Sequence, residues 1–214
     1  MDNSIILIIT IAATVLISYR GFNDLSFFRK YDFHIGSIRT GEQIRMLSSG
    51  FLHVDVTHLV FNMITLWFFA PLVLTYLGNF SFVIIYFGSL IFGNLLTLFF
   101  NKTDYNYRAV GASGAVTGVL YSAILLQPDM MLGLFFVIPI SAYLFGILYL
   151  LYSIYGMKSQ NDNIGHSAHF GGAVGGYVIT LVKAPQLLVD HTLMVVLLAI
   201  PIVILFAMQK TGKL

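Results

Sequence analysis

No cysteine occurs in the 214 residues. That excludes a disulfide framework, a thiolate metal centre and a cysteine nucleophile. It leaves the redox compartment open. Charge is scarce: 11 Lys or Arg and 9 Asp or Glu make 9% of the chain, where a soluble domain carries about 25%. Hydrophobic residues make up 58%. So few charges cannot cover a core that large, so a soluble globular protein and a disordered chain are both excluded. The net charge of +2 is too small to mark a nucleic acid or another anionic partner. No Asp, Glu, Lys or Arg sits in the middle of a long apolar run. Ion-coupled transporters and proton pumps usually need such buried ionisable groups.

What is present is a series of apolar runs, each near the 20 or so residues that cross the hydrocarbon core as a helix. Seven are read at about 4–19, 58–77, 80–100, 109–126, 130–152, 166–183 and 187–208. The runs are continuous rather than alternating, which argues against a beta barrel. The reading is an all-α integral membrane protein, a polytopic bundle of about seven transmembrane helices, forming a single membrane domain over 1–214. The first run has no Lys or Arg before it and no clear small-x-small cleavage site, so it is read as a retained helix rather than a signal peptide. Residues 20–57 mix charges with aromatics, as in Phe27-Phe28-Arg29-Lys30-Tyr31. That mixture suggests a segment in the headgroup region. Residues 156–165, GMKSQNDNIG, have the composition of a mobile loop. Lying on the side read below as the active-site side, they are expected to cap the site.

A few polar residues intrude on the runs. His58 and Asn62 lie on the second helix, Asn94 on the third, Ser113 on the fourth, and His166 and His169 on the sixth. Even-numbered helices all begin on one side of the membrane. His58, Ser113 and His169 each lie near such a beginning, so they share one face and roughly one depth. Glycines supply the means of bringing them together, because small residues let helix backbones approach closely. Gly111, Gly114 and Gly118 follow helical spacing. Gly171/Gly175 and Gly172/Gly176 form two overlapping GxxxG patterns.

The inventory suits acyl transfer. Ser113 is a candidate nucleophile, and an imidazole is a suitable base near neutral pH. The amino end of a helix favours developing negative charge. His58 and Asn62, at i and i+4, share a helix face as oxyanion donors. No carboxylate lies near His169, so a dyad is more natural than a triad. Each residue alone has a plainer reading: a Gly-flanked Ser is usually packing, and an interfacial His is usually structural. The signal is their conjunction on one membrane face.

Three segments, in this order, resemble the rhomboid family of intramembrane serine proteases. HLVFNM at 58–63 resembles the family's HxxxN, GASG at 111–114 its GxSG, and AHFGGAVGG at 168–176 its AHxxG. GEQIRMLSSGFLH at 41–53 resembles the stretch leading into the second helix. The resemblance covers about 41–183, within a six-helix core at about 4–183, and the run at about 187–208 fits the form with one added helix. It implies Ser113 as nucleophile, His169 as base, and an oxyanion hole of His58, Asn62 and the Ser113 backbone N–H. Helix packing near the site is expected, from the spacing above, at Gly111, Gly114, Gly118, Gly172 and Gly176. The resemblance implies no metal and no cofactor, and transmembrane proteins as substrates, cut at small residues near helix-weakening sequence. It implies a bacterial inner membrane, with the site facing outward. His53 and His166 fit positions of extra family histidines and are read as supporting. Two positions depart from the pattern. Ile44 stands where the family often has Trp before Arg45. Thr117 stands where it often has an aromatic ring on the catalytic imidazole. The weighed alternatives are a non-catalytic rhomboid-like protein that holds membrane clients, a histidine-cluster metalloprotease without HExxH, and a channel.

Overall fold

The computed structural model describes residues 3–134, 138–160 and 164–214. Helix α1 (Asn3–Asn23) is the first apolar run. The connection after it is folded rather than loose. It contains α2 (Leu25–Tyr31), β1 (Phe33–His34), α3 (Ile35–Arg39), α4 (Arg45–Ser48) and a 3₁₀ turn at Ser49–Phe51. Asp24 caps α2 by accepting from the Phe27 N–H at 2.9 Å.

A buried carboxylate organises this segment. Asp32 is only 1% exposed, a position that requires pairing. Arg45 meets it at 2.9 Å and Arg108 at 2.8 Å. Arg45 also donates to the carbonyls of Arg29 and Asp32 and to Glu42. The first loop is therefore anchored through Arg45, while Ile44 is exposed. Strand β1 pairs antiparallel with β2 (Arg108–Ala109), Phe33 facing Ala109. Phe33, Ile35, Ile38 and Met46 form a small core beneath, against Ile91, Leu98 and Tyr107.

The long element α5 (Val56–Phe100) is two helices joined at Gly78, whose φ of 76° is open to glycine and strained for other residues. These are the second and third runs. α6 (Ser113–Leu126) is central: every residue from Gly114 to Leu126 is buried. At 1.5 Å per residue its 14 residues rise about 21 Å, short of the roughly 30 Å hydrocarbon core. It therefore begins below the interface and leaves room for a cavity above its amino end. α5 and α8 (His166–Lys183) both pack against it.

The fifth run departs from expectation. A helix was expected over 130–152. Instead β3 (Met131–Leu134) and β4 (Ile138–Ser141) pair antiparallel, and α7 runs over Ala142–Ser159. Pro139 explains the late start: it has no N–H to give a helix, and it disfavours helical backbone at Ile138. α7 also continues beyond the expected end, so the expected polar loop 156–165 begins as helix; Gln160 closes it in the left-handed conformation, φ 48°. Residues 161–163 of that loop lie outside the described residues. After α9 (Leu187–Asp190), α10 (Thr192–Lys210) packs on α7.

Counting α5 as two, seven long helices appear among the described residues. Ile5–Asn23, Val56–Phe100 and Thr192–Lys210 are long and apolar enough to cross a membrane. Leu16, Phe61, Phe68, Val182 and Val203 all point outward and exposed. An apolar belt of this extent is solvated by lipid rather than water. The chain is an all-α multi-pass membrane protein.

Candidate active site

The amino end of α5 positions His58. Asp55 is its N-cap and accepts from the His58 N–H at 2.7 Å, which fixes the first turn. His58, Ser113 and His169 all line one cavity of about 1080 Å³. Ser49, Asn94 and Ser167 add polar wall. The three residues that helix parity puts on one side therefore all line one space. Asn62 does not line it among the described residues. Its side chain is buried, and its Nδ2 donates to the His58 carbonyl at 2.9 Å, one turn back on its own helix.

Ser113 is the first residue of α6. The N–H groups of a first turn have no acceptor within their helix and point toward the space ahead of it. The turn before it is held by two hydrogen bonds. Gly111 N–H donates to the Ser49 carbonyl at 3.0 Å. Ala112 N–H donates to His53 Nε2 at 3.3 Å. Because Nε2 accepts, His53 Nδ1 carries the proton and donates to Ser18 Oγ at 2.9 Å. The Ser18 hydroxyl donates in turn to the Phe51 carbonyl at 2.8 Å. Burial, with neighbouring His58 adding to it, pushes the His53 imidazole down from 6.5 to about 3. His53 is therefore neutral at physiological pH, as its accepting role requires.

The glycines divide into two roles. Gly114, Gly118, Gly172 and Gly176 make the α6–α8 contact: a Cβ on Gly172 would overlap the Gly114 carbonyl, and one on Gly176 the Gly118 carbonyl. Gly111 is a correction to the expected stripe. It precedes the helix, with φ 136°, and a Cβ there would stand 2.7 Å from His58 Cε1 and 3.5 Å from Ser113 Oγ. Its bare backbone lets the His58 ring approach the Ser113 turn.

His169 stands in the first turn of α8, where its N–H donates to the Gly165 carbonyl. Its Nδ1 lies 3.0 Å from the Tyr149 hydroxyl, and the two rings stack at 20°. Tyr149, on α7, is the neighbour that sequence reasoning missed. Thr117 gave the hint, since an absent ring at that position calls for one from elsewhere. His166 also lines the cavity, edge-on to Tyr152 at 5.2 Å and against Gly156. The arrangement offers a hydroxyl, two imidazoles and a helix amino end around one space, which is the equipment of nucleophilic acyl transfer.

The pattern of the Rhomboid domain family matches residues 40–186. RHOMBOID-like protein 12, mitochondrial, of Arabidopsis thaliana is 29% identical over 80% of this chain and 56% of its own length. Rhomboid protein 1, mitochondrial, of Saccharomyces cerevisiae is 31% identical over 63% of this chain and 40% of its own. Rhomboid protease GluP of Bacillus subtilis is 31% identical over 65% of this chain and 26% of its own. The chain thus spans from about half to a quarter of the length of these relatives. With the family pattern covering more than half of the chain, on a helical membrane bundle with matching motif order, this protein belongs to the rhomboid family.

Proposed function

We propose that the protein is an intramembrane serine endopeptidase that cuts transmembrane or near-membrane segments of other membrane proteins. The observation that carries this reading is the meeting of Ser113, His169 and His58 on one cavity at the amino end of a buried, short helix. His169 takes the proton of Ser113 as Oγ attacks the scissile carbonyl carbon. The carbonyl π electrons move to oxygen. His58 and the Ser113 N–H hold that oxyanion, with Asn62 as a third donor once its amide turns from the His58 carbonyl. The tetrahedral intermediate collapses, the C–N bond breaks, and the amine leaves with the proton from His169. Water then hydrolyses the acyl-enzyme by the same route. A helical substrate must unwind locally first, because its carbonyls are hydrogen-bonded along the helix. No metal or organic cofactor enters this scheme.

The reading extends to location. A bacterial cell membrane is supported by the likeness to a Bacillus subtilis relative, against mitochondrial relatives of similar identity; the outward-facing cavity rests on the family resemblance alone. The test of the chemistry is a serine-reactive fluorophosphonate probe on purified protein. The expected result is a covalent adduct mapped to Ser113 and abolished in both Ser113→Ala and His169→Ala. Absence of labelling at Ser113 in folded protein would contradict the reading.

A further inference from the structure

The imidazole of His169 is braced from α7. Tyr149 Oη lies 3.0 Å from Nδ1, and its ring runs nearly parallel to the imidazole with centroids 6.1 Å apart. Phe145, one turn back, stacks with the Tyr149 ring at 19°, centroids 5.9 Å apart. The α7 backbone beside them is fixed as well, since the buried Tyr121 hydroxyl donates to the Gly146 carbonyl. Tyr149 Oη is also 3.4 Å from Thr117 Oγ1, on the helix of Ser113. A tyrosine so held is not a passive filler of the α7–α8 interface.

We propose that Tyr149 is the positioning residue of His169, and that its hydroxyl sets which ring nitrogen faces Ser113. This rests on the serine-protease reading above. Two proton arrangements fit the distances. If the Tyr149 O–H donated to Nδ1, the neutral imidazole would carry its proton on Nε2, and neither nitrogen could accept from Ser113. A base therefore requires the other arrangement. Nδ1–H donates to Tyr149 Oη, and the phenol proton points toward Thr117 Oγ1. With Nδ1 engaged, Nε2 is the nitrogen that takes the Ser113 proton. The imidazolium that then forms keeps its Nδ1–H bond to the phenol oxygen. Tyr149 thus does the orienting half of what a carboxylate does in a triad, without adding a buried charge. It also explains how Thr117 is tolerated: the ring arrives from α7 and not from α6, and Thr117 is small enough to receive it.

The test uses full-length protein in vesicles with a transmembrane substrate, together with ¹⁵N spectra of histidine-labelled protein. The His169 signals are assigned by their loss in His169→Gln. Wild type should show His169 as a single tautomer protonated at Nδ1. Tyr149→Phe keeps the ring and removes the hydroxyl, with its neutral hydrogen bond to His169 and its longer one to Thr117. Its kcat should fall about tenfold with KM within about twofold, and its His169 should become a mixture of tautomers. Tyr149→Leu, which also removes the ring, should be slower still. Nε2 protonation of His169 in the wild type would overturn the proposal whether or not the protein is active. So would a Tyr149→Phe variant with unchanged kcat and an unchanged tautomer. Wild type that shows the Nδ1 tautomer but neither cleaves nor takes a serine probe would refute the protease reading and leave the Tyr149–His169 bond as structure alone, overturning the positioning role.

Discussion

His53 shows how much a single side chain away from the reacting atoms contributes to the geometry. It joins α1, through Ser18, to the Ala112 N–H just ahead of the nucleophile candidate. That role requires a neutral ring, and its pH consequence has a definite sign. The folded-state pKa, about 3, lies below the ordinary 6.5. Between these values the unfolded chain binds a proton that the folded chain refuses. The contribution of His53 is therefore complete above about 6.5 and is lost as pH falls toward 3. Thermal unfolding in detergent should show a Tm that drops between pH 7 and pH 4, with a shallower drop in His53→Gln. Equal slopes would mean that the ring is not held neutral. The sequence made Ser113, His58 and His169 legible because helix parity fixes a side and a depth without any knowledge of packing. Tyr149 was illegible for the opposite reason. It sits mid-helix in a chain with 12 Tyr and 19 Phe, and only the rotation of α7 says which ring meets the imidazole. Asn62 has the right face by spacing, yet its amide turns to the nearest backbone carbonyl, a local choice that spacing does not encode.

Among the elements, the approach of α6 to α8 is set by backbone meeting backbone. Nothing flexible lies at the contact of Gly172 with the Gly114 carbonyl, so an added side chain has nowhere to go. Gly172→Val should lower stability by more than the about 1–3 kcal/mol typical of overpacking, and should remove activity by separating α6 from α8. Gly165→Ala is the control, since a Cβ there meets only Ala168 Cβ at an ordinary 3.8 Å. Tm in detergent should fall for the first and hold for the second; a tolerated Gly172→Val would mean that the two helices are free to move apart. The GxxxG patterns made this contact readable from sequence. The start of α7 was not, because hydropathy is the same for an apolar strand pair and an apolar helix. Only Pro139, within 130–152, spoke against a continuous helix, and the turn chemistry that would have fixed the boundary is weak there. The joint at Gly78 was readable, as a break between two runs.

For the whole molecule, membrane sidedness sets two arguments against each other. Ten of the eleven basic residues, all but Lys183, lie on the side of the cavity by helix parity. Gln209 and Leu214 line the cavity, which puts the end of α10 on that side too. The positive-inside rule would turn this side to the cytoplasm. The orientation proposed above turns it outward. Several of these charges are already committed: Arg45 and Arg108 hold Asp32, and Arg39 donates to Tyr105. Five of the ten lie in the interfacial 20–57 connection, where basic residues also bind lipid headgroups, which still leaves five against one. In a chain without cysteine, single cysteines at the exposed positions of Lys158 and Lys183 report directly. A membrane-impermeant maleimide should label position 158 in intact cells and spare 183; the reverse would place the site in the cytoplasm. The claim on which the rest depends is proteolysis by Ser113. Its most direct measurement is cleavage of a transmembrane substrate by purified protein in proteoliposomes, with wild type and Ser113→Ala compared at equal folded amounts. The account predicts discrete cleavage within or beside the substrate's membrane segment for wild type and none for Ser113→Ala. Cleavage that persists in folded Ser113→Ala, or its absence from both, would contradict it.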